Sequence, residues 1–125
     1  MTLNTHIAEG IQINGNSTQL KQLVAILLDN AIRHSKEDGD VCLALSKEHG
    51  HAKLSVINSG ETIPPEHRER IFERFYRVDT ARNSEDNHYG LGLAIAKAIT
   101  DTHKGHIDVL CYDGLVEFRV QIPAL

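Results

Sequence analysis

The chain predicts an α+β domain, a sheet covered by three helices, on three observations. Leu20, Leu23, Val24, Leu27, Leu28 and Ala31 recur at three- and four-residue spacings, which draws one apolar stripe along a helix ending near Ser35. Apolar runs over residues 41–46 and 52–57, and again over 106–111 and 116–122, come in pairs joined by short polar links, as β-hairpins do. Helical spacing returns after Gly90-Leu91-Gly92-Leu93.

Residues 3–7 and 11–14 read as two short strands at a sheet edge, separated by Glu9-Gly10. Asn16 followed by Gln19 resembles a capping box at the start of the long helix. Turn material at 37–40 ends that helix, and 47–51, with His49 and His51 at its tip, links the first hairpin. Gly60 ends the second hairpin strand, and Pro65 suits the first turn of a short helix whose outside is basic and whose apolar side is Ile71, Phe72 and Phe75. Core packing accounts for at least one of these two Phe residues. Residues 79–88 form a long polar loop, and loops of that length inside a compact domain are usually functional or mobile. The next helix turns Leu91, Ile95, Ala98 and Ile99 inward, and Lys104 and Gly105 supply a C-terminal cation and a cap glycine. Asp113-Gly114 turns the last hairpin. His103 and His106 have the spacing of metal ligands but no acidic or thiol company, and read as structural.

A chain of 125 residues is one domain, able to bury a single core without staples. A net charge of -4 and a pI near 6.0 exclude nucleic-acid binding as the main job and give no attraction to an anionic membrane surface. Cys42 and Cys111 lie in apolar runs and read as free thiols, which fits a reducing compartment. No apolar run approaches the roughly 20 residues of a membrane helix and no secretory signal opens the chain, so it is expected to be soluble.

One residue breaks the apolar stripe. At about 100° per residue, Asn30 falls about 20° from Leu23 and one turn beyond Leu27, so its amide points at the layer of the leucines. A core amide bonded to nearby backbone is one reading. A ligand-binding amide is the other, and the glycines at 90 and 92 favour it, because a G-x-G opening a helix offers free N–H groups and the positive end of the helix dipole to a phosphate.

Taken in order, LLDNAIRHS, VINSGETIP, IFERFYRVD and GLGLAIAK resemble the N, G1, F and G2 boxes of the catalytic ATP-binding domain of sensor histidine kinases, within the GHKL superfamily. The resemblance runs from about Ile11 to Pro123, and FERFYR points to the kinase branch. It implies a two-layer α/β sandwich, the Bergerat fold, with a mixed sheet under three helices and ATP between the layers. It implies Asn30 as the Mg²⁺ ligand, a neutral oxygen that Mg²⁺ accepts when phosphates and waters complete the octahedron. Arg33 and His34 match a pair flanking phosphates and sugar, Asn58 the position that reads the adenine amino group, Gly60 the glycine beside it, and Ile63 an apolar contact to the base. Tyr76 and Arg77 match the F-box pair, with Arg77 meeting phosphate oxygens. Gly90, Leu91, Gly92 and Leu93 match the phosphate loop, and 79–89 the ATP lid.

The chain departs from the family at four places. Ile26 stands where related ATPases keep a glutamate to activate water, and a kinase needs none, because its nucleophile is a histidine on a separate domain. Asn58 replaces an aspartate, and an amide free to flip would accept guanine as well as adenine, lowering discrimination. His88 stands where the first G2 glycine often lies, and Leu115-Val116 replaces a usual Gly-Thr. The implied activity is that of a protein histidine kinase in a two-component system, with ATP and Mg²⁺ as cofactors. No catalytic residue and no phospho-acceptor histidine is identified within these residues. The implied partners are a dimerisation and phospho-acceptor domain of the same longer protein and a response regulator. The implied location is a cytoplasmic domain of a protein anchored in the bacterial cell membrane, itself making no membrane contact. A GHKL-type ATP hydrolase and a non-catalytic nucleotide-binding or interaction module are the alternatives.

Overall fold

The computed structural model describes residues 2–35, 39–76 and 91–125. The elements in chain order are β1 (Thr2–Ile7), α1 (Ser17–His34), β2 (Asp40–Glu48), β3 (His51–Ser59), two 3-10 turns (Pro65–His67 and Arg70–Phe72), α2 (Gly92–Thr102), β4 (His106–Tyr112) and β5 (Leu115–Pro123). The five strands form one sheet in the order β1-β2-β3-β5-β4. β1 pairs with β2 in parallel and every other pair is antiparallel, so the sheet is mixed as expected.

Both hairpins close through two-residue turns with positive φ at each position, His49-Gly50 at 50° and 79° and Asp113-Gly114 at 49° and 75°. That geometry matches the right-handed twist of the strands it joins and fixes their register. Val41, Val56, Val116, Phe118, Val120, Ile122, Ile107 and Val109 then share one sheet face, where they meet Leu23, Leu27 and Ala31 of α1 and Ala96 and Ile99 of α2. Phe72 enters the same core edge-on to Phe118, with ring centroids 6.1 Å apart. On the other face, β4 and β5 carry cross-strand polar pairs. The Tyr112 hydroxyl donates to Oε1 of the buried Glu117 at 2.7 Å, and Arg119 grips both carboxylate oxygens of Asp108.

Four sequence expectations are corrected. Residues 11–14 do not form a strand. Gly10, at φ 76°, turns the chain away from β1, and only an isolated antiparallel bridge from Ile13 to Ala124 remains. The short helix after Pro65 is two 3-10 turns, which bury Ile71 and Phe72 and leave Phe75 67 % exposed with φ 64°. The inward face of α2 is Ala96, Ile99 and Thr100, whereas Leu91 and Ile95 are 38 % and 39 % exposed. Almost every residue from 91 to 99 is small or apolar, so periodicity singles out no face there.

The fourth correction concerns the two helix ends. Asn16 caps α1, accepting from the Gln19 N–H at 3.0 Å, but the Asn16 N–H is taken by Nε2 of His103 at 3.0 Å instead of by the Gln19 side chain. His103 donates from Nδ1 to the Ile99 carbonyl at 2.8 Å, so this buried ring ties the end of α2 to the start of α1. At the end of α2 the Gly105 N–H reaches the Thr100 carbonyl and the Lys104 N–H that of Asp101, the two bonds of a Schellman motif. The left-handed residue is Lys104, at φ 60°. Gly105 is required for space, since a Cβ there would lie 2.4 Å from the Gln121 carbonyl oxygen.

Candidate functional site

The site is built at the end of β3 where it meets the last turns of α1. The register sets Asn58 between Val41 of β2 and Val116 of β5, both buried, so Asn58 lies on the core face of the sheet at 1 % exposure. Its Nδ2 donates to the Ser59 carbonyl at 3.0 Å, while its Oδ1 is buried with no hydrogen-bond partner among the described residues. A buried acceptor left unpaired costs about 1–3 kcal/mol, and such atoms are rare in native proteins. This oxygen therefore gains from an incoming donor. The bond to Ser59 also fixes which way the amide faces, because a flip would bring two oxygens to the same 3.0 Å separation. This bond opposes the flip that acceptance of guanine would need.

Gly60 joins this strand end to α1. A Cβ there would stand 3.0 Å from the His34 carbonyl oxygen and 3.1 Å from Asn58 Nδ2, closer than almost any real side chain comes. Glycine is what lets the end of α1 touch the strand, and it brings His34, Asn58 and Gly60 together. One turn back, Asn30 is half-buried and outside the set of core residues on α1. Among the described residues its amide makes no hydrogen bond, so it is not the backbone-bonded core asparagine of the alternative reading. Arg33 forms an ion pair with Asp29 one turn earlier, on the same exposed side of the helix.

Further along α1, Ile26 faces the start of α2. Among the described residues, a Cβ on Gly92 would meet only Ile26 Cγ2, at 3.5 Å, which is ordinary contact. Packing among the described residues does not demand a glycine at that position. No carboxylate stands at position 26, and Leu93 packs against the core while Leu91 remains exposed. Ile63 and Tyr76 are half-buried against the same core. Arg77, Gly90 and the expected lid at 79–89 lie outside the described residues.

Two residues that carry no role in the sequence reading contact those that do. Arg68 donates from Nε to the Ile63 carbonyl at 2.9 Å, and Nδ1 of His67 is hydrogen-bonded to the Tyr76 hydroxyl. Their signal in the sequence is faint: two basic side chains just after a Pro-Pro step, read there as a solvated helix face.

Residues 15–125 match the family model described as histidine kinase-, DNA gyrase B- and HSP90-like ATPase. Sensor protein CiaH of Streptococcus pneumoniae is 43% identical over 90 residues, covering 72% of this chain and 20% of that protein. Sensor protein DltS of Streptococcus agalactiae is 36% identical over 121 residues, covering 97% of this chain and 30% of that protein. The chain thus spans less than a third of the length of these curated relatives. Among solved structures, the mycobacterial sensor histidine kinase MprB superposes with a TM-score of 0.87 at 30% identity, covering 98% of this chain and 81% of that one. A catalytic domain of histidine kinase ThkA gives 0.83 at 28%, covering 97% and 78%. With the four boxes in order on this sheet and these helices, the chain belongs to the histidine kinase-, DNA gyrase B- and HSP90-like ATPase family, in the branch of the sensor histidine kinase catalytic domains.

Proposed function

We propose that this domain binds Mg²⁺-ATP between α1, the end of β3 and the start of α2, and presents the γ-phosphoryl group to a histidine. That histidine would come from a dimerisation and phospho-acceptor domain of a longer, membrane-anchored sensor kinase, which passes the phosphoryl group to a response regulator. The observation that carries the reading is the buried, unpartnered Oδ1 of Asn58, held in place to accept from the adenine amino group. Support comes from two solved relatives, histidine kinase ThkA in complex with response regulator TrrA and full-length ShkA in complex with AMPPNP.

Each remaining residue has a part that its chemistry suits. Asn30 would hold Mg²⁺ through its side-chain carbonyl, and its partly exposed, unpartnered amide fits that use. Bound Mg²⁺ would supply neutralisation of phosphate charge. Arg33 is paired with the exposed Asp29, and phosphate oxygens would compete for it. Ile63 would contact the base, and Tyr76 would flank the nucleotide. His34 would lie beside phosphates and sugar, Arg77 would meet phosphate oxygens, and the backbone N–H groups from Gly90 to Leu93 would face the phosphates. The domain's own share of catalysis is positioning and charge neutralisation. Ile26 argues against a hydrolase, because it leaves no base to activate water where it packs on Gly92. Among the described residues no helix is long and apolar enough to cross a membrane.

Nucleotide binding with and without Mg²⁺ tests the reading. ATP should bind in a Mg²⁺-dependent way, and Asn30→Ala should remove that dependence with the fold retained. An Asn30→Ala variant whose Mg²⁺-ATP affinity stays within twofold of the parent would sink the metal assignment. Rejoined to its acceptor domain, the protein should yield acid-labile phosphohistidine; release of free phosphate alone would favour the hydrolase, and no turnover the non-catalytic module.

A further inference from the structure

We propose that His67 and Arg68 are positioning residues that set the adenine-side wall and the F-box tyrosine from one rigid turn. The inference rests on the nucleotide-binding reading above and assigns parts to two residues that the boxes leave out. Ile63 precedes Pro64-Pro65, and a residue before proline is held in extended backbone, outside any helix or strand that could bond its carbonyl. The structure gives that carbonyl to Arg68 Nε at 2.9 Å. The backbone that carries this side chain is itself fixed, because the His67 N–H donates to the Pro64 carbonyl at 2.9 Å and the Arg68 N–H to that of Pro65 at 3.3 Å. Residues 63–68 therefore close into a small ring of two backbone bonds and one side-chain bond. Lysine, with a single flexible ammonium, would not reproduce the in-plane Nε donor.

The neighbouring side chain points at the other wall. The Tyr76 hydroxyl is bonded to Nδ1 of His67, and the two rings lie 5.6 Å apart between centroids. The Arg70 guanidinium covers the Tyr76 ring at 4.8 Å. Phe75, in its left-handed conformation, turns outward just before it, so Tyr76 enters the core while Phe75 leaves it. Tyr76 is thus held at its tip, on its face and against the core. His67 and Arg68 are consecutive, so one turn carries both the bond to Ile63 and the bond to Tyr76.

The test compares ATP with tripolyphosphate, which carries the phosphates without the base, on the parent chain and on its variants. Arg68→Ala should weaken ATP binding about tenfold and leave tripolyphosphate binding unchanged, since only the base-side wall moves. His67→Leu should weaken ATP binding, His67→Gln, whose side-chain oxygen can accept from the hydroxyl, should restore it, and in a Tyr76→Phe background His67→Leu should have no further effect. If Arg68→Ala does not fold, the His67–Tyr76 cycle decides. Variants that bind ATP within twofold of the parent, or that lose tripolyphosphate in equal measure, overturn the inference while leaving the nucleotide site standing. A parent chain with no affinity for ATP overturns both.

Discussion

Asn58→Asp is the substitution that separates an anchored amide from a free one. The change is isosteric, yet it replaces the Nδ2 donor, 3.0 Å from the Ser59 carbonyl, by a carboxylate oxygen. The hydrogen bond is lost, at about 1 kcal/mol, and a charge is left at a site only 1 % exposed between Val41 and Val116. Together these should cost about 2–4 kcal/mol in the nucleotide-free protein at neutral pH. Protonation reverses much of the loss, because a neutral carboxyl can donate to Ser59 again. The folded-state pKa of the new carboxyl is therefore raised above its unfolded value of about 3.9, so its neutral form is favoured by folding. The variant should then approach parental stability near pH 4 and fall behind as pH rises through the raised pKa. Urea unfolding of both proteins at pH 4 and pH 7 measures the difference directly. A variant as stable as the parent at both pH values would show that Ser59 does not anchor the amide, and would bring back the freely flipping side chain with its weakened base discrimination. With the amide anchored, the parent itself should prefer ATP to GTP, since guanine O6 would face an accepting oxygen.

Other substitutions test the packing around the site. Gly92→Ala should melt at or slightly above the parental temperature, gaining up to about 1 kcal/mol of helix propensity, while ATP affinity falls at least about tenfold; unchanged affinity in a binding titration would remove the phosphate role. Gly105→Ala should lose about 3 kcal/mol or more in chemical denaturation, because backbone at Gln121 cannot move away from the new methyl. Its neighbour Lys104→Gly should go the other way by up to about 1 kcal/mol, relieving a left-handed lysine. On the sheet's outer face, the Glu117 carboxylate holds the Tyr112 phenol up from 10.0 to about 12. A group with a raised folded pKa contributes stability that is complete below pH 10 and is lost as pH climbs toward 12. Absorbance titration should find one tyrosine ionising late, and Glu117→Gln should bring it back toward 10.

Much of this architecture can be read from the residues, and the failures have physical causes. The hairpin turns at His49-Gly50 and Asp113-Gly114 and the apolar stripe of α1 are local signals, each contained in a few consecutive residues, and the structure follows them. The inward face of α2 is misread because the small Ala96 and the polar Thr100 make it with Ile99, while the larger Leu91 and Ile95 stay exposed. The His103 link is invisible for a different reason. It joins Asn16 to a residue 87 positions away, and no spacing rule reaches that far. His67 and Arg68 escape notice because their contacts run to a hydroxyl and a carbonyl, partners that leave no charge pattern in the sequence.

The same division explains why the site lies where it does. α1 gives Leu23, Leu27 and Ala31 to the core, and α2 gives Ala96 and Ile99, so apolar contacts pack the two helices on each other and on the sheet. His103 then closes one end of that pair, with its ring bonded to both helices. The other end has no such link among the described residues: Gly92 meets Ile26 with room to spare, and Asn30 holds its amide unbonded. Asn30 is therefore able to bond something else from that end. His103→Leu should therefore lower the melting temperature while changing ATP affinity no more than about twofold, because the link it breaks stands apart from every residue assigned to the nucleotide. A large loss of ATP affinity in a variant that remains folded would mean that the two ends of the helix pair are coupled, and that the site depends on how α1 and α2 are set at their closed end.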